Sequence, residues 1–386
     1  MNQNKIKKIG RIGLKYRKYR YKHSKPYSLI LILLYIIRNL INIFLLRINL
    51  VLSLSSMLKN HRKRILFIEP PQQGYGDLLF QTPIFSILAK RGYVVTTLMQ
   101  KKHKAILKNN PNVSNIWFWN FRGIFNIFFS KYDFVVGLGR DTIKTNVILL
   151  LKILNKKIIP DSNLKAWHES FNQLNPCQAW QVLVLSKLER FFDFETPRIY
   201  LSNEENKKIK TLKNKKTPII LLIMNVDNKL KQYPYWQEVI DKLDQKNMYI
   251  ALKNANEAKL TESIKRSVRY LSTDSYRKAI LTIAASDIVV GVEGSLIHIA
   301  AALGKKLIVL EANNSFRKQT FLTELNNSRI ISHHVCQPWY HTDLKKTLMI
   351  CYLDDDGDIK QDYNPCLSSI NPLEIIRAIN DATDKI

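Results

Sequence analysis

The residues whose types and spacing could do chemistry lie in two glycine-bearing turns. The first is inside Asp287 to Leu310, DIVVGVEGSLIHIAAALGKKLIVL. Its apolar, β-branched run Ile288-Val289-Val290 reads as a buried strand, broken by Gly291. A polar elbow follows, Val292-Glu293-Gly294-Ser295. Leu296 to Leu303 reads as an Ala-rich helix stopped by Gly304 at C′, and Leu307 to Leu310 as a second buried strand. Strand, tight turn, helix, strand is one right-handed βαβ unit of a parallel sheet. Ligands bind such sheets beyond the carboxyl ends of the strands, which is where the elbow lies. The N–H groups and dipole of the helix start favour a phosphate there, and the small Gly294 and Ser295 let it approach the backbone. A purely structural turn is the competing reading until a second element agrees. The second turn is Glu69-Pro70-Pro71-Gln72-Gln73-Gly74-Tyr75-Gly76-Asp77. It follows the strand Ile65 to Ile68 and precedes a helix over Leu78 to Leu88, with Pro83 expected to kink that helix or delay its start.

The elements around these turns alternate. After Ile65 to Ile68 come strands at Val94 to Leu98, Ile116 to Trp119, Phe134 to Gly137 and Lys157 to Ile159, with helical stretches between them. A second set begins at Ile219 to Ile223 and continues through Tyr249 to Leu252, Ile288 to Val290 and Leu307 to Leu310. Such alternation predicts an α/β fold with two parallel, Rossmann-like halves. They join near Leu201 to Lys216, a charged, Asn-rich stretch suited to a linker. The expected organisation is a basic, membrane-associating extension over 1–64, a first domain over 65–203 and a second over 204–386.

Charge is unevenly distributed along the 386 residues. Residues 1–64 contain 16 Lys and Arg and no Asp or Glu, which leaves 44 basic and 31 acidic residues for the other 322. Nucleic acid, a membrane surface and a phosphorylated substrate all suit that balance. Tyr27 to Leu58 is mostly Leu and Ile, has no small-residue cleavage site, and is interrupted by Arg38 and Arg47. Its uncharged pieces fall short of the roughly 20 residues that span a bilayer. On a helical wheel Ser28, Tyr35, Arg38, Asn39, Asn42, Asn49, Ser53 and Ser56 fall within about 100° of arc. A narrow polar stripe on a broad apolar helix favours an in-plane membrane helix over a spanning helix or one packed on the body.

Several of these segments together resemble glycosyltransferase family 9, the lipopolysaccharide heptosyltransferases. Ile65 to Pro83, with QGYGDLLFQTP, resembles the family's opening strand and GGLGD-type loop. Lys231-Gln232-Tyr233-Pro234 with Trp236 resembles its K-x-W-P segment, and Leu252 to Glu257 its strand and loop ending in Glu. Asp287 to Leu310 resembles its D-x-G-x-x-H elbow, and Cys366 to Glu374 its C-x-x-I-x-P-x-E terminus. The resemblance runs in order from residue 65 onward. It implies a GT-B fold with acceptor held by the first domain and nucleotide-sugar by the second, and inverting transfer without a cofactor or metal.

By that resemblance Asp77 is the general base for the acceptor hydroxyl. A carboxylate at the mouth of a Gly loop has the exposure this task needs; an ordinary helix cap is the bland alternative. The resemblance gives the leaving diphosphate to Lys231, with catalytic and binding roles, and to the N–H groups of Gly294 to Leu296. Glu257 would receive ribose hydroxyls, or be a solvated helix-start Glu. His298 would bond a phosphate oxygen, or turn inward as a core His. Glu293 stands where the family has Asp, and Gly294-Ser295 reverses its usual order, which bears on donor identity. Gly74, Gly76, Lys101, Lys102, Lys104, Arg122, Arg140 and His168 are candidate contacts for an anionic acceptor.

Other features are weaker. Gly137-Leu138-Gly139 lacks the third glycine of a dinucleotide fingerprint, with Thr142 in its place. Asp354 to Asp358 fails an EF-hand register, which would place Tyr352 first and Tyr363 twelfth. Cys177, Cys336, Cys351 and Cys366 form no C-x-x-C pair and suit free thiols in a reducing cytosol. His333, His334, Cys336 and His341 are a remote zinc candidate. The expected function is transfer of heptose from ADP-heptose to the lipopolysaccharide or lipooligosaccharide core. The enzyme would be peripheral on the cytoplasmic face of the bacterial inner membrane, with no nucleic-acid partner. The alternatives are a different nucleotide-sugar or acceptor, an inactive family member, and a basic nucleic-acid-binding protein.

Overall fold

The computed structural model describes residues 62–69, 74–130, 132–137, 157–159, 174–189, 191–213, 217–224, 232–244, 247–253, 268–272, 275–311, 328–333 and 365–386. The expectations for residues 1–61, for Arg140, His168, Lys231 and Glu257, and for the loop Asp354 to Asp358 lie outside them.

The chain builds two parallel sheets. Strands β1 (Arg64–Ile68), β2 (Val94–Met99), β3 (Asn115–Phe118), β4 (Phe134–Gly137) and β5 (Lys157–Ile159) form the first, in the order β3-β2-β1-β4-β5. Strands β6 (Ile219–Ile223), β7 (Met248–Lys253), β8 (Val268–Ser272), β9 (Ile288–Val292), β10 (Lys306–Glu311) and β11 (Ser328–Ser332) form the second, in the order β11-β10-β9-β6-β7-β8. The central strands ILFI of β1 and IILLI of β6 are buried along their whole apolar lengths, as parallel strands covered on both faces must be. Both orders reverse direction beside their first strand, between β1 and β4 and between β6 and β9. At such switch points a crevice opens beyond the carboxyl ends of the strands. The two glycine-bearing turns leave from β1 and β9 and so lie at these crevices.

The helices are α1 (Tyr75–Lys90), α2 (Lys104–Leu107), α3 (Phe121–Phe129), α4 (Pro176–Leu185), α5 (Asn203–Lys213), α6 (Trp236–Asp241), α7 (Tyr276–Ala285), α8 (Ser295–Ala302), α9 (Pro365–Ser368) and α10 (Pro372–Thr383). The charged stretch after Leu201 is thus largely a helix rather than an open linker. Helix α1 starts at Tyr75, three residues before the expected Leu78, and continues through Pro83 to Lys90. Proline denies the Leu79 carbonyl its usual N–H donor. The Thr82 hydroxyl donates to that carbonyl instead, at 2.8 Å.

One apolar core joins the two halves, drawing Ile65, Phe67, Phe85 and Leu88 from the first and Leu221, Ile280, Val289 and Ile297 from the second. The other face of the second sheet packs on α6 and α10 through Trp236, Val239, Ile375 and Ile379. The C-terminal motif forms a helix start: Asn371 caps α10 by accepting from the Leu373 N–H at 2.9 Å, and Glu374 accepts from the Asn371 N–H at 3.2 Å. Pro372 occupies the first turn, where it forfeits no helical bond. Gly304 closes α8 with φ +68°, the left-handed cap expected at C′. Among the described residues no helix is long and apolar enough to cross a membrane.

Candidate active site

The N-termini of α1 and α8 meet. A Cβ placed on Gly76 would lie 3.5 Å from His298 Cδ2 and 3.9 Å from Ser295 Cα, so the first turn of α1 faces the elbow at van der Waals distance. One turn on, Phe80 sets its ring edge-on to His298, with centroids 4.8 Å apart. The β1 and β9 turns are therefore one place, built from both halves of the chain. Gly76 and Gly294 are half-buried and Gly74 is exposed.

Asp77 is exposed in the first turn of α1, and its Oδ2 accepts from the Gly74 N–H at 3.3 Å. The capping alternative is thus a structural fact, since this carboxylate satisfies one of the helix's open N–H groups. Its second oxygen and its exposure leave it able to accept a proton from a hydroxyl held above the helix end.

In the elbow, His298 is buried and its Nε2 lies 3.1 Å from Glu293 Oε1. It takes the inward arrangement, bonded to Glu293 and packed against α1. Glu293 remains half-buried, with its backbone N–H bonded to the Leu310 carbonyl at 3.0 Å. Ser295 and Leu296 are half-buried at the head of α8, where the first N–H groups of a helix have no intrahelical acceptor. The Tyr276 hydroxyl donates to Ser295 Oγ at 2.8 Å. These N–H groups and the α8 dipole make the elbow fit to hold a diphosphate.

Around α1 the structure assembles further residues whose types alone give no sign of a shared site. Glu69, at the end of β1, is 1% exposed. Its carboxylate bonds His103 Nδ1 and accepts from the Gln100 N–H at 3.1 Å. Burial raises the Glu69 pKa, with the His103 contact acting in the opposite direction. Tyr75 places its ring edge-on to His103, with centroids 4.5 Å apart, and stacks on Tyr276 of α7. Lys102 Nζ lies 5.9 Å from the centroid of the Tyr75 ring, and Lys101, Lys102, Lys104 and Arg122 are exposed on the same rim. His103, within that basic cluster, faces inward.

Arg277, next to Tyr276, bolts the halves together. Its Nη1 donates to the Ala105 carbonyl at 2.9 Å, its Nη2 to the Tyr200 carbonyl at 2.7 Å, and its Nε and Nη2 to both oxygens of Glu205 at 2.9 and 2.6 Å. Lys108 and Asn109 add donors to the same carboxylate at 3.1 and 2.9 Å. The Arg277 contact leads these in pulling the Glu205 pKa down to about 2.

Farther off, the K-x-W-P-like segment is a packing device over its described part. Tyr233 and Trp236 are buried edge-to-face at 5.4 Å, and the Tyr233 hydroxyl donates to the Ile370 carbonyl at 2.8 Å. His333 Nε2 lies 3.1 Å from Glu374 Oε2. Cys177 and Cys366 are buried thiols. Among the described residues no group of three or more His, Cys, Asp or Glu could hold a metal ion.

The model of glycosyltransferase family 9 (heptosyltransferase) matches residues 167–343. No curated protein matches the chain. The fold is similar to that of E. coli ADP-heptose lipopolysaccharide heptosyltransferase II, 16% identical, with a TM-score of 0.62 over 83% of this chain and 99% of that one. A family 9 glycosyltransferase from Veillonella parvula is 13% identical, with a TM-score of 0.65 over 85% of this chain and 99% of that one. The dodecameric iron-containing heptosyltransferase TibC of enterotoxigenic E. coli, solved with ADP-D-beta-D-heptose, is 13% identical, with a TM-score of 0.55 over 85% of this chain and 78% of that one. At such identities these likenesses establish an α/β fold with parallel sheets of the heptosyltransferase kind. The family 9 model thus matches the stretch from residue 167 to 343, and the whole fold is similar to that of solved heptosyltransferases.

Proposed function

We propose that the protein is an inverting GT-B transferase that moves heptose from ADP-heptose to the lipopolysaccharide or lipooligosaccharide core. In this reading the first sheet and its helices hold the acceptor, and the second sheet holds the nucleotide-sugar. The single observation that carries it is the contact between the α1 and α8 N-termini through Gly76, Ser295 and His298. It sets the Asp77 turn against the elbow to which this reading gives the diphosphate.

The acceptor hydroxyl oxygen attacks the anomeric carbon from the face opposite the diphosphate. As the new C–O bond forms, the bond from that carbon to the phosphate oxygen breaks. The hydroxyl proton passes to Asp77, and the electron pair leaves on ADP. Negative charge developing on the diphosphate is met by the α8 N–H groups and by Lys231, with Glu257 on the ribose. The Glu293–His298 pair (3.1 Å) fixes the elbow from inside rather than touching the donor. The proposed transfer uses no bound metal, and the protein works from the cytoplasmic face of the inner membrane, held there by residues 1–58.

A second reading keeps the reaction and changes the sugar. Its support is Ser295, whose hydroxyl is engaged by Tyr276 in an elbow that departs from the family order. Mass spectrometry of the core glycolipid from cells lacking this protein tests both. Loss of one heptosyl unit, restored by the full-length protein, is expected. Loss of a different sugar selects the second reading, and an unchanged glycolipid contradicts both.

A further inference from the structure

Helix α3 (FRGIFNIFF) begins at the same rim as Asp77. Among its described side chains Ile124 and Ile127 are fully buried, whereas Phe121 and Phe125 stand 64% and 43% exposed, one turn apart, with ring centroids separated by 6.1 Å. The place is held firmly. Trp119, two residues before Phe121, donates its indole N–H to the Glu69 carbonyl at 2.8 Å and its backbone N–H to the Met99 carbonyl at 3.1 Å. Asn120 caps the helix by accepting from the Gly123 N–H at 2.7 Å. A Cβ on Gly123 would fall 2.0 Å from the Phe118 carbonyl oxygen, so the helix turns out of the strand closer than any other residue allows. The phenylalanines are thus presented on a fixed element beside the site.

Their surroundings are cationic. Strand ends Met99 and Phe118 are register partners, so the turn carrying Lys101, Lys102 and Lys104 leaves the sheet next to the start of α3, and Arg122 lies on α3 itself. All four are exposed. No acidic residue occurs anywhere between Asp77 and Asp133. The other exposed pair, Phe191 and Phe194, sits among Glu189, Asp193 and Glu195 and lacks this character.

We propose that α3 is a second membrane contact: Phe121 and Phe125 insert at the interface of an anionic bilayer while Lys101, Lys102, Lys104 and Arg122 meet its headgroups. Exposed aromatics ringed by cations suit the acyl–headgroup boundary. A contact here would turn the mouth of the Asp77 crevice toward the bilayer, independently of residues 1–58. The contact stands on this geometry, and only its purpose rests on the membrane-borne acceptor proposed above.

The test uses full-length protein carrying a photoreactive phenylalanine analogue at position 121. It is irradiated on vesicles of phosphatidylglycerol and phosphatidylethanolamine, and on phosphatidylcholine alone. Lipid adducts on the anionic vesicles, sparse on phosphatidylcholine, are expected. Adducts to a second protein molecule, or none while the protein is vesicle-bound, would overturn the proposal. In parallel, the double variant Phe121→Ser, Phe125→Ser should bind anionic vesicles about tenfold more weakly, the loss expected for two partly inserted rings. It should bind ADP as before. Unchanged vesicle affinity would also overturn the proposal. Lipid adducts from a protein that transfers no sugar would count against the transferase reading and leave the membrane contact standing.

Discussion

Tyr75 and Tyr276 lie face to face, their ring centroids 3.6 Å apart and their planes within 7°. One ring opens α1 and the other opens α7, so the stack joins the Asp77 turn to the helix whose hydroxyl holds Ser295. The β1 and β9 turns are coupled through two aromatic rings and one hydrogen bond.

Separating those contributions gives the first prediction. Tyr276→Phe keeps the ring and removes only the bond to Ser295, which should cost about 0.5–1.5 kcal/mol in urea unfolding. Tyr276→Ala also removes the stack, and should lose a further 0.5–1.5 kcal/mol or so beyond the change in buried area. Equal losses in the two variants would show that the stack contributes nothing.

The Arg277–Glu205 bolt makes stability depend on acid. Because the folded-state pKa of Glu205 is depressed to about 2 from 4.5, its stabilisation is complete above pH 4.5 and is lost as pH falls toward 2. The loss should amount to about 3 kcal/mol across that window. Arg277→Ala removes two charge-assisted bonds from a buried carboxylate that keeps Lys108 and Asn109, and should cost about 1.5–3 kcal/mol near neutral pH. Its melting temperature should also fall less steeply between pH 4.5 and 2 than that of the parent protein. Parallel pH profiles would contradict the assignment. Lysine at this position restores the charge without the two-pronged geometry, so it should rescue only in part.

The proposed donor site, N–H groups of α8 together with Lys231, makes two demands on ligand experiments. Lys231→Ala should weaken ADP binding by about 1.5–3 kcal/mol in calorimetry. Transfer should survive a chelator, with the activity of the treated enzyme within error of the untreated. Unchanged ADP affinity would remove Lys231 from the site. Activity lost in EDTA and restored by a divalent ion would replace the metal-free mechanism.

What could be read in advance followed local pattern. The runs ILFI, IILLI and IVVGV carry their strand character in composition alone, and Gly304 marks a helix end by the backbone shape it allows. The start of α1 was misplaced because Gly74, Tyr75 and Gly76 are poor helix formers; packing against α8 outweighs that local preference. The helix runs on through Pro83, where the Thr82 hydroxyl substitutes for the missing donor. Tyr276 and Arg277 sit in an ordinary stretch, SYRKAI, and nothing near them signals partners such as Tyr75 or Ala105. Glu69 was legible as a strand end, but its burial against His103 depends on β1 and β2 being neighbours, which periodicity does not encode.

The central claim is that Asp77, set against the α8 elbow, takes the acceptor proton during heptosyl transfer. The most direct measurement follows ADP release from ADP-heptose by purified full-length protein, with heptose-free core glycolipid in vesicles, for the parent and Asp77→Asn side by side. Asparagine can still accept from the Gly74 N–H, so the variant should fold and bind ADP normally. The account predicts acceptor-dependent ADP release by the parent, slowed about 100-fold or more in the variant. No release by the parent with this donor and acceptor, or an Asn variant that turns over at the parent rate, would contradict it.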